Sequence, residues 1–155
     1  MNDILRRFED MTPTQFAPEA ALIEEGRETG KLFVLKSGTV EVRRRGTPVI
    51  TVSEPGAVLG EMSVLLDRPH TASVVALTAV EAYGLENGMA LLEQRPALAL
   101  HVAVLLAGRL EGTTALVDRL KAKSEKPREK RLLNRLMSFL TDQAVDKPKT
   151  QPRPR

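Results

Sequence analysis

Glycine recurs at positions 26, 30, 38, 46, 56 and 60, and the stretches between these residues are short. A helix of ordinary length does not fit through that punctuation, because glycine inside a helix costs about 1 kcal/mol and favours turns instead. The intervening and following runs, "ALIEE", "KLFVLKSG", "TVEVRRR", "PVITVSE", "TASVVALT" and "AVEAYGLE", are rich in β-branched residues and read as strands. Several alternate, as in Val40-Glu41-Val42-Arg43, which sends apolar side chains to one face and charged ones to the other. Many short strands separated by glycine turns imply an antiparallel barrel or jelly roll. "RRRGTP" is then a hairpin tip whose arginines coat a surface.

The period changes on either side of this region. Residues 2–10 form a short helix with Asn2 or Asp3 near its cap. After Leu85, "ENGMALLEQRP" is a short helix ended by the approach of Pro96. "PALALHVAVLLAGRLEGTTALVDRLKAK" follows as a long helix with Pro96 in its first turn. Its stretch 97–107 has no formal charge and is apolar nearly all round, yet too short to span a membrane. Such a helix needs cover on two sides. The barrel supplies one, and the simplest second cover is the same helix of another subunit. "KSEKPREKRLLNRLMSFLTDQ" breaks from it near Pro127 and carries an apolar stripe of Leu132, Leu133, Leu136, Met137 and Leu140. The expected class is α+β, mainly β: a jelly-roll barrel with an N-terminal helix, a long C-terminal dimerisation helix and a further basic helix. The expected organisation is 1–120 for the domain with its long helix, 121–143 for the basic amphipathic helix and 144–155 for a disordered, proline-rich tail.

Charge follows the same division. Residues 1–120 hold 12 Lys/Arg against 16 Asp/Glu, whereas 121–155 hold 11 against 4. The basic end suits nucleic acid or an acidic surface through non-specific contacts. Scarce aromatics, 3% of the chain, argue against stacking platforms for single strands. The start, "MNDILRRFEDM", lacks the apolar core of a signal peptide, so a cytoplasmic location is expected. There is no cysteine, and the two histidines, His70 and His101, have no paired spacing, which disfavours a cupin-type metal centre. No nucleophile-and-base pattern is present either, so the chain is not expected to be an enzyme or to need a metal. His101, inside the apolar run, reads as a helix-interface residue.

"LIEEGRETGKLFVLKSGTVEV" followed by "GAVLGEMSVLLDRPHTASVVA" resembles the cyclic nucleotide-binding domain shared by the cAMP receptor protein family, cyclic-nucleotide-dependent kinases and gated channels. The likeness runs from about residue 10 to 140, and the long helix is most similar to that of the bacterial regulators. The resemblance implies a ligand, cAMP or cGMP, and no other cofactor. It implies that Glu61 accepts a hydrogen bond from the ribose 2′-hydroxyl and that Gly60 lets the backbone come close. Amides at the start of the helix, including those of Met62 and Ser63, would face the cyclic phosphate, a role helix N-termini suit. Thr71 and Ala72 would complete the cradle, and Thr113 and Thr114 on the long helix would reach the base.

His70 departs from the pattern, standing where most nucleotide-binding members carry arginine. Arginine grips two phosphate oxygens with a permanent charge. Histidine offers one N–H and is charged only below about 6.5. An adjacent phosphate would raise that value, coupling protonation to binding. Arg68 is an alternative source of charge, although in "LLDRPH" it is expected to point to water. The bacterial regulators follow this domain with a winged helix-turn-helix. Residues 126–142 resemble the helix that opens it, but twelve residues after Gln143 are too few for a recognition helix. Sequence-specific DNA binding is therefore not expected, while non-specific nucleic acid stays open. The expectation is a cyclic-nucleotide sensor, dimeric through 96–120, signalling by its long helix to an unidentified downstream protein. Two alternatives stand beside it: a ligand-free relative acting as a dimerising interaction module, and a basic-tailed accessory protein on nucleic acid.

Overall fold

The computed structural model describes residues 3–124 and 126–142. Eight strands, β1 (Thr14–Phe16), β2 (Ala21–Ile23), β3 (Leu32–Ser37), β4 (Val40–Arg44), β5 (Thr47–Val52), β6 (Val58–Leu59), β7 (Ser73–Ala76) and β8 (Val80–Leu85), lie among five helices. They form two four-stranded antiparallel sheets, ordered β1-β8-β3-β6 and β2-β7-β4-β5. This is the mainly-β, jelly-roll-like barrel with helices that the glycine pattern implies. All six runs named above contain a strand, and β1 and β6 are additions at three and two residues. The expected cap at Asn2 lies outside the described residues, and the first helix, α1, spans Asp3–Arg6.

Two turns show what the glycines do. Arg45 and Gly46 join β4 to β5 with φ of 51° and 75°. Two consecutive left-handed residues make the tight hairpin whose twist matches its strands. Gly38, between β3 and β4, has φ 92°, and a Cβ there would sit 2.3 Å from the Ala79 carbonyl oxygen. No other residue fits.

The apolar core draws on both sheets: Leu35, Val40, Ala76 and Ala82 have no exposure, and Leu22, Ile23, Leu59, Val74 and Val80 surround them. Each large aliphatic side chain buried in this way contributes roughly 1.5–3 kcal/mol. The turn after α1 adds Phe8, stacked on Tyr83 at 5.5 Å between centroids. Along β4, Val40 is buried and Val42 packs against the core, but Glu41, Val42 and Arg43 are all half-buried, because Arg43 folds over to pair with Glu41 and Glu19. β5 is the edge of its sheet. Val42 pairs with Ile50 and Arg43 with Pro48, which leaves Val49 as an extra, bulged residue. Both Val49 and Ile50 are exposed.

Helix α2 (Glu61–Leu66) follows β6, and α3 (Gly88–Gln94) precedes the long helix α4 (Pro96–Lys123). The chain divides into two compact units, one ending at Leu105 and the other beginning at Leu106. In the first unit, Leu98 and Val102 of α4 are 1% and 2% exposed, whereas Leu100 and Val104 are 66% and 61% exposed. His101 turns inward, its Nε2 bonded to the Gly56 carbonyl at 2.9 Å. With 28 residues and an 18-residue stretch of mean hydropathy 1.3, α4 is long and apolar enough to cross a membrane by length and composition. That test covers a longer stretch than 97–107, which by itself is too short.

The second unit holds the rest of α4 and α5 (Pro127–Asp142). Ser124 stands before α5 and donates to Glu129 Oε2 at 2.9 Å, which fits a helix entry beside Pro127 in the first turn. Leu132, Leu136 and Phe139 are exposed, and Leu133, Met137 and Leu140 are half-buried. The proline-rich segment 144–155 lies outside the described residues.

Candidate functional site

The chain leaves β6 through Gly60, which has φ 88°. A Cβ on Gly60 would meet the Lys31 carbonyl oxygen at 2.8 Å, Ile23 Cδ1 at 3.3 Å and His70 Cε1 at 3.4 Å. Glycine is thus required twice, for the left-handed backbone and for space. α2 begins at once with Glu61, and its first intrahelical bond runs from the Val64 amide to the Gly60 carbonyl at 3.3 Å. The Met62 and Ser63 amides therefore belong to the turn that has no i−4 acceptor within the helix. Glu61 and Ser63 are buried, whereas the Met62 side chain is 47% exposed, so Met62 brings only its backbone to the cradle. The helix ends after six residues at Asp67, whose φ is 48°. The Arg68 amide returns to the Ser63 carbonyl at 3.1 Å, and Ser63 Oγ donates to the Arg68 carbonyl.

This tight return delivers Pro69 and His70 back beside Gly60. Proline holds the chain out of helix, and His70 zips onto the loop between β2 and β3. Its carbonyl accepts from the Gly26 amide at 2.7 Å, and its amide donates to the Arg27 carbonyl at 2.9 Å. Its ring Nε2 pairs with Thr29 Oγ1 at 3.0 Å. The Ser73 hydroxyl extends the zip by accepting from the Glu25 amide at 2.9 Å. Half-buried Thr71 and Ala72 lie between these ties.

The ring of His70 is therefore a packed, hydrogen-bonded part of the wall, and burial pushes its pKa below the ordinary imidazole value. The cause is desolvation, which disfavours the charged imidazolium. Two cations of the neighbouring loop form surface ion pairs. Arg27 pairs with Glu24 at 2.9 Å and Lys31 with Glu86 at 2.6 Å. Arg68 is exposed, as expected, and lines a cavity of about 490 Å³ between α2 and α3 with Glu28, Asp67 and Glu93.

Gly60, Glu61, Met62, Ser63, His70, Thr71 and Ala72 thus come together in the first unit. Thr113 and Thr114 lie on α4 in the second unit. Thr113 is exposed and its hydroxyl donates to the Arg109 carbonyl at 2.8 Å, the back-bond open to any helical threonine. Thr114 is half-buried. Thr29, which anchors His70, was not among the expected residues. The single signal for it is a hydroxyl residue beside Gly30 in a turn-rich stretch, and that pattern is too general to assign a partner.

Comparison with known proteins agrees with this geometry. The sequence pattern described as the cyclic nucleotide-binding domain matches residues 13–91, just over half of the chain. The acetyltransferase Pat of Mycolicibacterium smegmatis is 34% identical over 73 residues, 45% of this chain and 22% of the relative. The CRP-like cAMP-activated global transcriptional regulator of Mycobacterium tuberculosis is 26% identical over 109 residues, 66% of this chain and 49% of the relative. Among solved structures, the Thermus thermophilus catabolite activator protein superposes with a TM-score of 0.58 at 28% identity, covering 70% of this chain and 54% of that one. The chain thus spans from about a fifth to about half of the length of these relatives. With the cradle, the barrel and the sequence pattern in agreement, the chain belongs to the cyclic nucleotide-binding domain family.

Proposed function

We propose that the chain is a non-catalytic regulatory module that senses a nucleotide-type ligand, cAMP or cGMP by the family's pattern, in the cradle from Gly60 to Ala72. The observation that carries this reading is the convergence of a left-handed glycine, a buried glutamate and the returning His70–Ala72 segment in one place. The regulator from Mycobacterium tuberculosis is described as cAMP-activated, which supports the ligand class. The module works as a homodimer through the outer face of α4, because Leu100 and Val104 are open on a helix whose Leu98 and Val102 are already packed. That packing also favours a dimer helix over a membrane span, and with it a cytoplasmic protein. Occupancy would reach an unidentified downstream protein through α4 and its basic extension.

A second reading, a ligand-free dimerising module, is favoured by the tie between His70 and Thr29, which uses the expected clamp as a structural part. Isothermal titration of the full chain with cAMP and cGMP, at about pH 6 and about pH 8 on either side of the reference imidazole value, separates the two. Saturable heat with either ligand supports the sensor. Silence with both, in a folded protein, supports the module.

A further inference from the structure

We infer that α5 is an interfacial helix that docks on an anionic lipid surface, with Leu132, Leu136 and Phe139 entering the lipid and Arg128 and Arg135 facing the headgroup phosphates. At about 100° per residue, Phe139, Leu132, Leu136, Leu140 and Leu133 fall on one side of the helix within an arc of about 120°. Three of them stay uncovered: Leu132, Leu136 and Phe139 are 54%, 51% and 61% exposed. Leu120, near the end of α4, is 49% exposed and shares with Leu132, Leu133 and Leu136 a cavity of about 500 Å³. The second unit thus carries an apolar surface that runs across two helices, which scattered surface leucines do not explain.

The charges around this surface select the occupant. Residues 126–142 hold five Lys/Arg against two Asp/Glu, a net of +3. Arg128 and Arg135 adjoin the arc beside Phe139, and Lys130 stands past its other edge, all three exposed. Lys123 lines the cavity. The acid within the arc, Glu129, is held in the first turn by Ser124 at 2.9 Å and Lys126 at 3.6 Å. Cations flanking an apolar stripe suit a lipid surface, because their long stems reach anionic headgroups while leucine and phenylalanine sink below them. The 16 residues of α5 extend about 24 Å, short of the hydrocarbon core of about 30 Å, so the helix lies on the surface and does not cross it. Nucleic acid would use the cations through phosphate contacts but leave the apolar arc in water. A second copy would bring its own +3 against the first, like charge against like.

The test is co-sedimentation of the full chain with vesicles of phosphatidylcholine alone and of phosphatidylcholine with about a third phosphatidylglycerol, at low and at moderate salt. The expected result is binding to the anionic vesicles at least about tenfold tighter than to the neutral ones, and weakened by salt. Leu136→Gln with Phe139→Gln, both at exposed positions, should lower that binding about tenfold or more while the helical circular-dichroism signal stays unchanged. Arg128→Gln with Arg135→Gln should lower it about twenty-five-fold, at roughly fivefold for each cation near the surface. No binding to either vesicle, or equal binding to both, overturns the inference. Leu136→Gln with Phe139→Gln that leaves vesicle binding intact overturns it as well, and salt-sensitive binding of random duplex DNA by that variant then assigns the cations to nucleic acid. Light scattering should give that variant the oligomeric state of wild type, and conversion to a smaller species overturns the inference in favour of a second copy on this face. Where the apolar pair of substitutions lowers helix content, the arginine pair and the comparison of the two vesicles decide. None of these outcomes depends on the cradle, so the proposed ligand site stands or falls separately.

Discussion

Gly46 and Gly60 separate the two demands that a turn glycine can satisfy. Both have positive φ, 75° and 88°, but a Cβ at 46 meets nothing within 4 Å while one at 60 lies 2.8 Å from the Lys31 carbonyl oxygen. Alanine in left-handed backbone costs roughly 1–2 kcal/mol. It recovers about 0.4–1 kcal/mol by narrowing the unfolded ensemble. Gly46→Ala should therefore lower stability by roughly 0–1.5 kcal/mol. Gly60→Ala pays the same conformational cost and must also displace a backbone carbonyl, with Ile23 and His70 crowding the same methyl at 3.3 and 3.4 Å. Overpacking of this kind adds about 1–3 kcal/mol, for a total of about 1–4.5 kcal/mol. Gly38→Ala, facing a carbonyl at 2.3 Å, should exceed both. Against a typical domain stability of about 5–15 kcal/mol, these differences are resolvable. Urea unfolding of the full-length variants, followed by circular dichroism with the denaturant slope checked for constancy, measures them. Equal losses for Gly46→Ala and Gly60→Ala, within about 0.5 kcal/mol, would refute the idea that the cradle closes tightly around position 60.

Three further outcomes are expected. The wild-type chain should be dimeric by light scattering, and Leu100→Glu with Val104→Glu, both on the open face of α4, should make it monomeric without unfolding the barrel; a monomeric wild type at tens of micromolar, on the order a modest interface requires, rejects the dimer. His70 binds its proton more weakly folded than unfolded, so its contribution to stability is whole above about pH 6.5 and is lost as pH falls through the lowered folded value. The urea midpoint should accordingly drop more for wild type than for His70→Asn between about pH 7.5 and about pH 5.5, and parallel profiles contradict this. Binding of random DNA duplexes, if carried by the basic end from Lys121 onward, should collapse between low and moderate salt and vanish on its deletion, whereas salt-insensitive binding or a preferred sequence excludes that account.

The strands visible in the sequence were those long enough to alternate, such as Val40–Arg44, or to be bracketed by glycines. Phe16 and the Val58–Leu59 pair sit in strands of three and two residues, where pairing with β8 and β3 supplies the structure and local pattern supplies almost none. The cradle was legible in outline because Gly60, Glu61 and the Thr71-Ala72 pair have fixed positions along one short segment. The environment of His70 was not. Its partner Thr29 lies 41 residues away, and composition cannot say whether an imidazole in a turn faces water or packs into a wall. That single orientation decides whether the ring is a charge for a ligand or a rivet for a loop. Thr113 and Thr114 illustrate a different limit, since a helical threonine can satisfy its hydroxyl on its own backbone, as Thr113 does.

Strand β5 carries a consequence for how concentrated this protein can become. Its sequence, TPVITV, is β-branched and uncharged, the composition that stacks readily into cross-β assemblies. It is also an edge, with Val49 and Ile50 open to solvent. Two features stop a neighbouring molecule from extending the sheet there: Pro48 has no N–H to offer, and the bulge at Val49 breaks the straight run of pairing groups. One ring and one surplus residue along a six-residue strand thus guard this edge against strand addition.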